Sequence, residues 1–171
     1  MTDPARPPVV ALGDSRPYQV GIVVPELDAA MRTYGAPRGA GDVWQLWTYD
    51  ENTLRERRYR GSSGTFSMRI ALGGSDPQLE LIQPLQGPSI YHEYLAEHGC
   101  GLHHMAFKVP DIATTIAEME QAGYALLQAG YGFGADQSGA FAYFDTVAAL
   151  GFVAEAVEPP LARRDPEETF P

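Results

Sequence analysis

Gly101-Leu-His-His-Met-Ala-Phe-Lys-Val-Pro-Asp-Ile112 is the stretch on which the fold turns. Its alternation sets His104, Ala106 and Lys108 on one face of a strand and Met105, Phe107 and Val109 on the other; Pro-Asp then leads into a helix. The same order occurs earlier, in Tyr18-Gln-Val-Gly-Ile-Val-Val-Pro-Glu-Leu27. An offset of 85 pairs Gln19 with His104, Gly21 with Ala106, Val24 with Val109, Pro25 with Pro110 and Glu26 with Asp111. A second echo joins Leu79-Glu-Leu-Ile-Gln-Pro84 to Ala154-Glu-Ala-Val-Glu-Pro159 at an offset of 75, pairing Glu80 with Glu155. The chain reads as an internal duplication that places Gln19, Glu80, His104 and Glu155 at equivalent points.

Working outward, residues 1–16 are proline-rich and aperiodic, which predicts a flexible arm. In the first copy, residues 19–24 alternate as a strand. Leu27, Ala30, Met31 and Tyr34 then form one helical stripe, closed by Gly35 and Pro37. Strands follow at 43–49, 65–72 and 78–83, with a polar, arginine-dense connection over 50–64. Residues 88–98 predict a short helix joining the copies. The second copy repeats the order: strand 104–109, helix 111–121, strand 124–128, a glycine-rich loop over 130–139, and strands 140–145 and 151–157. The resulting expectation is an α+β fold. Two tandem β-α-β-β-β modules, 17–86 and 101–158, flank a linker helix within 87–100 and are followed by a tail over 159–171. Their mixed sheets carry helices on the outer faces and form a curved mixed sheet around a metal-binding cleft. A repeat this long excludes a solenoid.

Composition narrows the function. A chain of 171 residues, 44% apolar and 11% aromatic, is ordinary for a folded domain or two small modules sharing a core. A net charge of −10 argues against nucleic acid as a general partner. No run approaches the roughly 18 apolar residues of a membrane helix, and the N-terminus lacks the layout of a signal peptide. Cys100 is the single cysteine, so no internal disulfide forms; a reducing, cytoplasmic setting is the expectation.

The four equivalent residues suggest a metal site. Gln19 and His104 are each followed two residues on by something small, which leaves room above the sheet. Imidazole, carboxylate and amide oxygen together suit Zn²⁺, Ni²⁺, Co²⁺ or Mn²⁺, and two carboxylates offset the cation's charge. The ordinary alternatives are a solvated glutamine and a histidine satisfied by the core. Glu80 and Glu155, mid-strand among apolar residues, need a partner in either case. His103 should face away from His104, and His92 and His98 should be solvated on the linker helix. Trp44, Trp47, Phe141 and Tyr143 line an apolar pocket or belong to the core.

Over residues 17–158 the chain resembles the vicinal oxygen chelate (glyoxalase/bleomycin resistance/extradiol dioxygenase) superfamily. Gly101-Leu-His-His-Met-Ala-Phe, Val109-Pro-Asp-Ile and Pro88-Ser-Ile-Tyr-His-Glu-Tyr-Leu are most similar to methylmalonyl-CoA epimerase. The epimerases usually carry His at the first ligand position and Gln at the second; here Gln19 and Glu80 stand there, a set that resembles some glyoxalase I enzymes. The resemblance implies a divalent metal held by Gln19, Glu80, His104 and Glu155, and proton transfer beside a carbonyl by a metal-dependent isomerase, epimerase or lyase. Glu155 would be ligand and base, and Glu80 ligand or second proton carrier. The epimerases' further acid, on the third strand, aligns with Ser67. The implied partner is a small carbonyl or thioester substrate, in a homodimer. The run Arg55-Glu-Arg-Arg-Tyr-Arg60 either holds an anionic substrate or is a solvated loop. Two competing readings are a non-catalytic small-molecule binding or resistance protein and an extradiol-type dioxygenase. The dioxygenase wants two histidines and one carboxylate, and Gln19 removes one histidine.

Overall fold

A computed structural model describes residues 12, 16–35 and 43–171. The expected arm over 1–16, save Leu12 and Arg16, and the stop at Pro37 lie outside these. In chain order the elements are β1 (Gln19–Val23), α1 (Leu27–Tyr34), β2 (Trp44–Tyr49), β3 (Glu56–Tyr59), β4 (Ser62–Ser63), β5 (Met68–Gly73), β6 (Gln78–Pro84), α2 (Ile90–His98), β7 (Gly101–Lys108), α3 (Ile112–Gln121), β8 (Leu126–Tyr131), β9 (Ala140–Phe144), α4 (Val147–Leu150), β10 (Val153–Glu158) and β11 (Glu168–Phe170).

The strands join into one mixed sheet, ordered β11-β2-β5-β6-β1-β7-β10-β9-β8-β3-β4. Each copy contributes the same internal order, β1-β6-β5-β2 and β7-β10-β9-β8. The parallel pairs are β1 with β6 and β7 with β10. The copies meet where β1 runs antiparallel to β7. Both helices that open after a first strand are held alike. The Leu27 amide donates to Gln83 Oε1 at 2.9 Å, and the Ile112 amide to Glu158 Oε2 at 2.8 Å. Gln83 and Glu158 are related by the same offset of 75. In each copy a side chain at the end of the last strand satisfies an amide that the helix leaves unpaired.

Three apolar clusters divide the faces. Leu27 and Met31 of α1 pack with Trp44, Leu46 and Leu81 on one outer surface. Ile112 and Met119 of α3 pack with Phe107, Phe144 and Ala156 on the other. The third cluster fills the concave side. It draws Trp47, Met68, Ile70 and Leu72 from the first copy, Ala106, Phe141, Tyr143 and Val157 from the second, and Ile90 and Tyr91 from α2. Trp44 is thus plain core, whereas Trp47, Phe141 and Tyr143 face inward.

The curvature follows from connectivity. β2 and β3 stand eight positions apart in the sheet, a separation of about 38 Å if it were flat. Only seven residue steps run from Tyr49 to Glu56, at most about 25 Å. The sheet must curl until its two ends approach. Accordingly, the Arg55 amide donates to Tyr131 O at 2.8 Å, and the Tyr49 ring meets Phe133 and Phe141 at 6.0 and 6.3 Å.

Two connections differ from expectation. The arginine-dense stretch contains the hairpin β3–β4, which pairs with β8 of the second copy. Its guanidiniums are largely engaged: Arg57 Nη1 donates to Phe66 O at 2.6 Å, Arg58 pairs with Glu56 and Arg60 with Glu93. The residues expected as a tail return across the molecule, and β11 pairs with the edge strand β2. The short helix α4 was not expected. Among the described residues, no helix is long and apolar enough to cross a membrane.

Candidate metal centre

The register brings the four equivalent residues around two small ones. Gly21 lies beside Glu80 on one neighbouring strand and His104 on the other. Ala106 lies beside Glu155 and Gln19 in the same way. Each copy's small residue thus sits between its own glutamate and the other copy's Gln or His. The need for a small residue is strict at Gly21, where a methyl group would stand 1.9 Å from His104 Cε1. The imidazole lies directly on that glycine.

His104 Nε2 is 3.2 Å from Glu80 Oε2 and 3.1 Å from Glu155 Oε2. All three side chains are buried, with one candidate ligand atom from each inside a span of 4.8 Å. Gln19 is buried too and shares a small cavity of about 70 Å³ with both glutamates. Its Nε2 donates to Gln78 Oε1 at 2.9 Å, which commits the amide nitrogen and leaves the oxygen.

One proton on Nε2 cannot be aligned with two carboxylates at once, and Glu155 Oε2 is buried with no well-aligned donor. Burial is the largest effect on the His104 pKa and pushes it down, but Glu155 and Glu80 together overcome it and raise the imidazole to about 9. Burial pushes Glu80 up, with the His104 hydrogen bond opposing it. A buried imidazole nitrogen between two buried carboxylates, one with an unserved oxygen, is the donor set that a divalent cation satisfies.

His103 does not face away. The β1–β7 register shifts beyond Gly21, and the irregularity turns His103 inward against Tyr91, Tyr94 and Tyr143. Its Nδ1 lies 3.1 Å from His104 Nδ1, so one ring donates and the other accepts. Burial, and then the charge on His104, lower its pKa to about 2; it is neutral. His92, expected to be solvated, is half-buried with Nδ1 2.8 Å from Ser89 Oγ, whereas His98 is exposed. Ser67 is turned from the cavity and accepts from the Gln86 amide at 3.1 Å. The inner residues of β5, which begins at the next position, are Met68, Ile70 and Leu72, none an acid.

A sequence model of the glyoxalase/bleomycin resistance protein/dioxygenase superfamily matches residues 18–144. The chain belongs to that superfamily. Among solved structures, methylmalonyl-CoA epimerase from Mycobacterium tuberculosis is similar at 22% identity and a TM-score of 0.55, covering 82% of this chain and 85% of that one. A variant of Streptomyces coelicolor methylmalonyl-CoA epimerase in complex with 2-nitronate-propionyl-CoA is similar at 21% identity and 0.55, covering 84% and 96%. At these identities the likeness is one of fold. No curated protein matches the sequence significantly. Within the superfamily frame, sequence reading named Phe141 and Tyr143 as candidate pocket residues but missed the inward turn of His103 and the tyrosines around the centre, Tyr18, Tyr49, Tyr91 and Tyr94. A bulge leaves no mark on alternation, so only the adjacent His-His pair hinted at the former.

Proposed function

We propose that this superfamily member is a metal-dependent isomerase, epimerase or lyase that moves a proton at the carbon beside a carbonyl. The observation that carries the reading is His104 Nε2 standing within 3.2 Å of both buried carboxylates while Glu155 Oε2 lacks an aligned donor. Glu80, His104 and Glu155 would hold the ion, with the Gln19 amide oxygen as a fourth ligand; Zn²⁺, Ni²⁺, Co²⁺ and Mn²⁺ all accept such a set. When bound, the ion polarises the substrate carbonyl and acidifies the neighbouring C–H. Glu155 then takes the proton at a carboxylate oxygen, and Glu80, on the opposite side of His104, returns it or takes the other face. The phenols of Tyr18 and Tyr49 are raised by burial, and further by the two glutamates, so they remain protonated. They close the cavity with donors rather than bases. With no acid on the inner face of β5, proton transfer falls to the two glutamates. The substrate is a small carbonyl compound or thioester; the resemblance suggests a homodimer, and the single cysteine a reducing, cytoplasmic setting.

The set holds one histidine and two carboxylates, which speaks against the two-histidine requirement of the dioxygenase reading. A binding protein of the same fold would keep the pocket without needing paired carboxylates. The test is metal content of tag-free protein beside His104→Ala and Glu155→Ala, followed by solvent deuterium exchange into acyl-CoA and hemithioacetal substrates. About one ion per chain, lost in both variants, with exchange in the wild type, supports the reading. Metal uptake unaffected by either variant, or no uptake after reconstitution, sinks it.

A further inference from the structure

His103 is a buried polar side chain that the proton-transfer scheme leaves unused. Adjacent residues on a regular strand face opposite ways, so beside His104 it should look away from the centre. It looks inward because the β1–β7 register shifts between Gly21 and Ile22. Bulges recur beside functional sites, where they re-aim a side chain. What this one re-aims is a second imidazole, set behind the first. The His103 ring is only 4% exposed and meets Tyr91, Tyr94 and Tyr143 edge-on, with centroids 5.6, 5.1 and 6.0 Å away. It stands at 87° to the His104 ring, and Tyr143 packs against both.

The two nitrogens of His104 therefore have separate duties. Nε2 lies between Glu80 and Glu155 and is the atom that an ion would take. A neutral ligand imidazole carries its one hydrogen on the other nitrogen. Here that is Nδ1, 3.1 Å from His103 Nδ1. Only one hydrogen fits between two nitrogens at that distance. If His104 supplies it, His103 accepts, keeps its own hydrogen on Nε2, and leaves the lone pair of His104 Nε2 open. If His103 supplied it, the hydrogen of His104 would sit on Nε2 and block the site.

We infer that His103 is a positioning residue: it accepts from His104 Nδ1–H, selects the tautomer whose Nε2 is open, and holds that nitrogen toward the two glutamates. This rests on the metal reading of the centre. Metal-bound histidines commonly find a carboxylate, a carbonyl or a water for this purpose. A neutral imidazole fixes the tautomer without adding a third negative charge beside Glu80 and Glu155, whose buried carboxylates already repel one another.

Two substitutions separate acceptance from packing. His103→Phe keeps a ring among the tyrosines and removes the acceptor. His103→Asn gives up the ring and puts Oδ1 close to where Nδ1 stood. Zinc affinity, measured by competition with a chromogenic chelator, should fall about 10–100-fold in His103→Phe and recover most of that loss in His103→Asn. Nitrogen NMR of isotope-labelled, zinc-loaded wild type should show His104 with its hydrogen on Nδ1 and His103 with its hydrogen on Nε2. Those wild-type tautomers decide the matter should His103→Phe fail to fold. Undiminished affinity in His103→Phe, an Asn variant as weak as the Phe variant, or a hydrogen on His103 Nδ1 overturns the inference and leaves the metal reading standing. A wild type that takes up no zinc overturns both.

Discussion

Gly21 owes its place to the imidazole lying on it rather than to any turn. Gly21→Ala should displace His104 and loosen the Glu-His-Glu group. A loss of about 10–100-fold in metal affinity is expected by analogy with disturbed ligand support, read by titration calorimetry. Glu155→Gln keeps the shape and removes the proposed base, so deuterium exchange into substrate should fall about 10²–10⁴-fold, with the fold unchanged by circular dichroism. The His104 pKa stands at about 9 against the ordinary 6.5. Its contribution to the metal-free fold is therefore complete below pH 6.5 and lost as pH rises through about 9. Urea midpoints from pH 6 to 10 should decline in metal-free protein, and less steeply in His104→Gln. At this scale the sequence was highly legible. The two echoes located Gln19, Glu80, His104 and Glu155, and the small residues two places on marked where room was needed. His103 was not legible, because a register shift reverses the side that alternation assigns.

At the scale of elements, the paired amide bonds to Gln83 and Glu158 are the duplication expressed as hydrogen bonding. Removing one should be felt locally. Glu158→Ala is expected to cost about 1–3 kcal/mol, as for a hydrogen bond to a charged acceptor, measured by chemical denaturation. Gln83→Ala should cost about 1 kcal/mol, as for a neutral pair. Strands with one apolar face were readable from period alone: the alternating faces of β1, β2, β5 and, from His104 onward, β7 agree with the clusters that they enter. The hairpin β3–β4 was not. Glu56, Arg57, Arg58 and Tyr59 offer no apolar face, and what orders them is the open edge of β8, a partner far along the chain. The same holds for β11, three residues whose strand character depends on the free edge of β2.

For the whole molecule, the sheet is a single curved body in which each copy supplies half of the centre. Ion binding should therefore stabilise both copies at once. At a free concentration a hundred times the dissociation constant the gain is about 2.7 kcal/mol, and calorimetry should show one transition moving up without splitting. The faces and the duplication foretold this architecture; the degree of curl came from a connection whose length is plain in the sequence but whose endpoints are not. That connection also has a bearing on how the protein is made. The hairpin that follows β2 needs β8, which is synthesised some seventy residues later. The first half of the duplication therefore leaves the ribosome with its middle segment unpartnered, and it cannot finish folding until the second half arrives. Either half alone would leave that pairing unmade, so the two halves should fold as one unit.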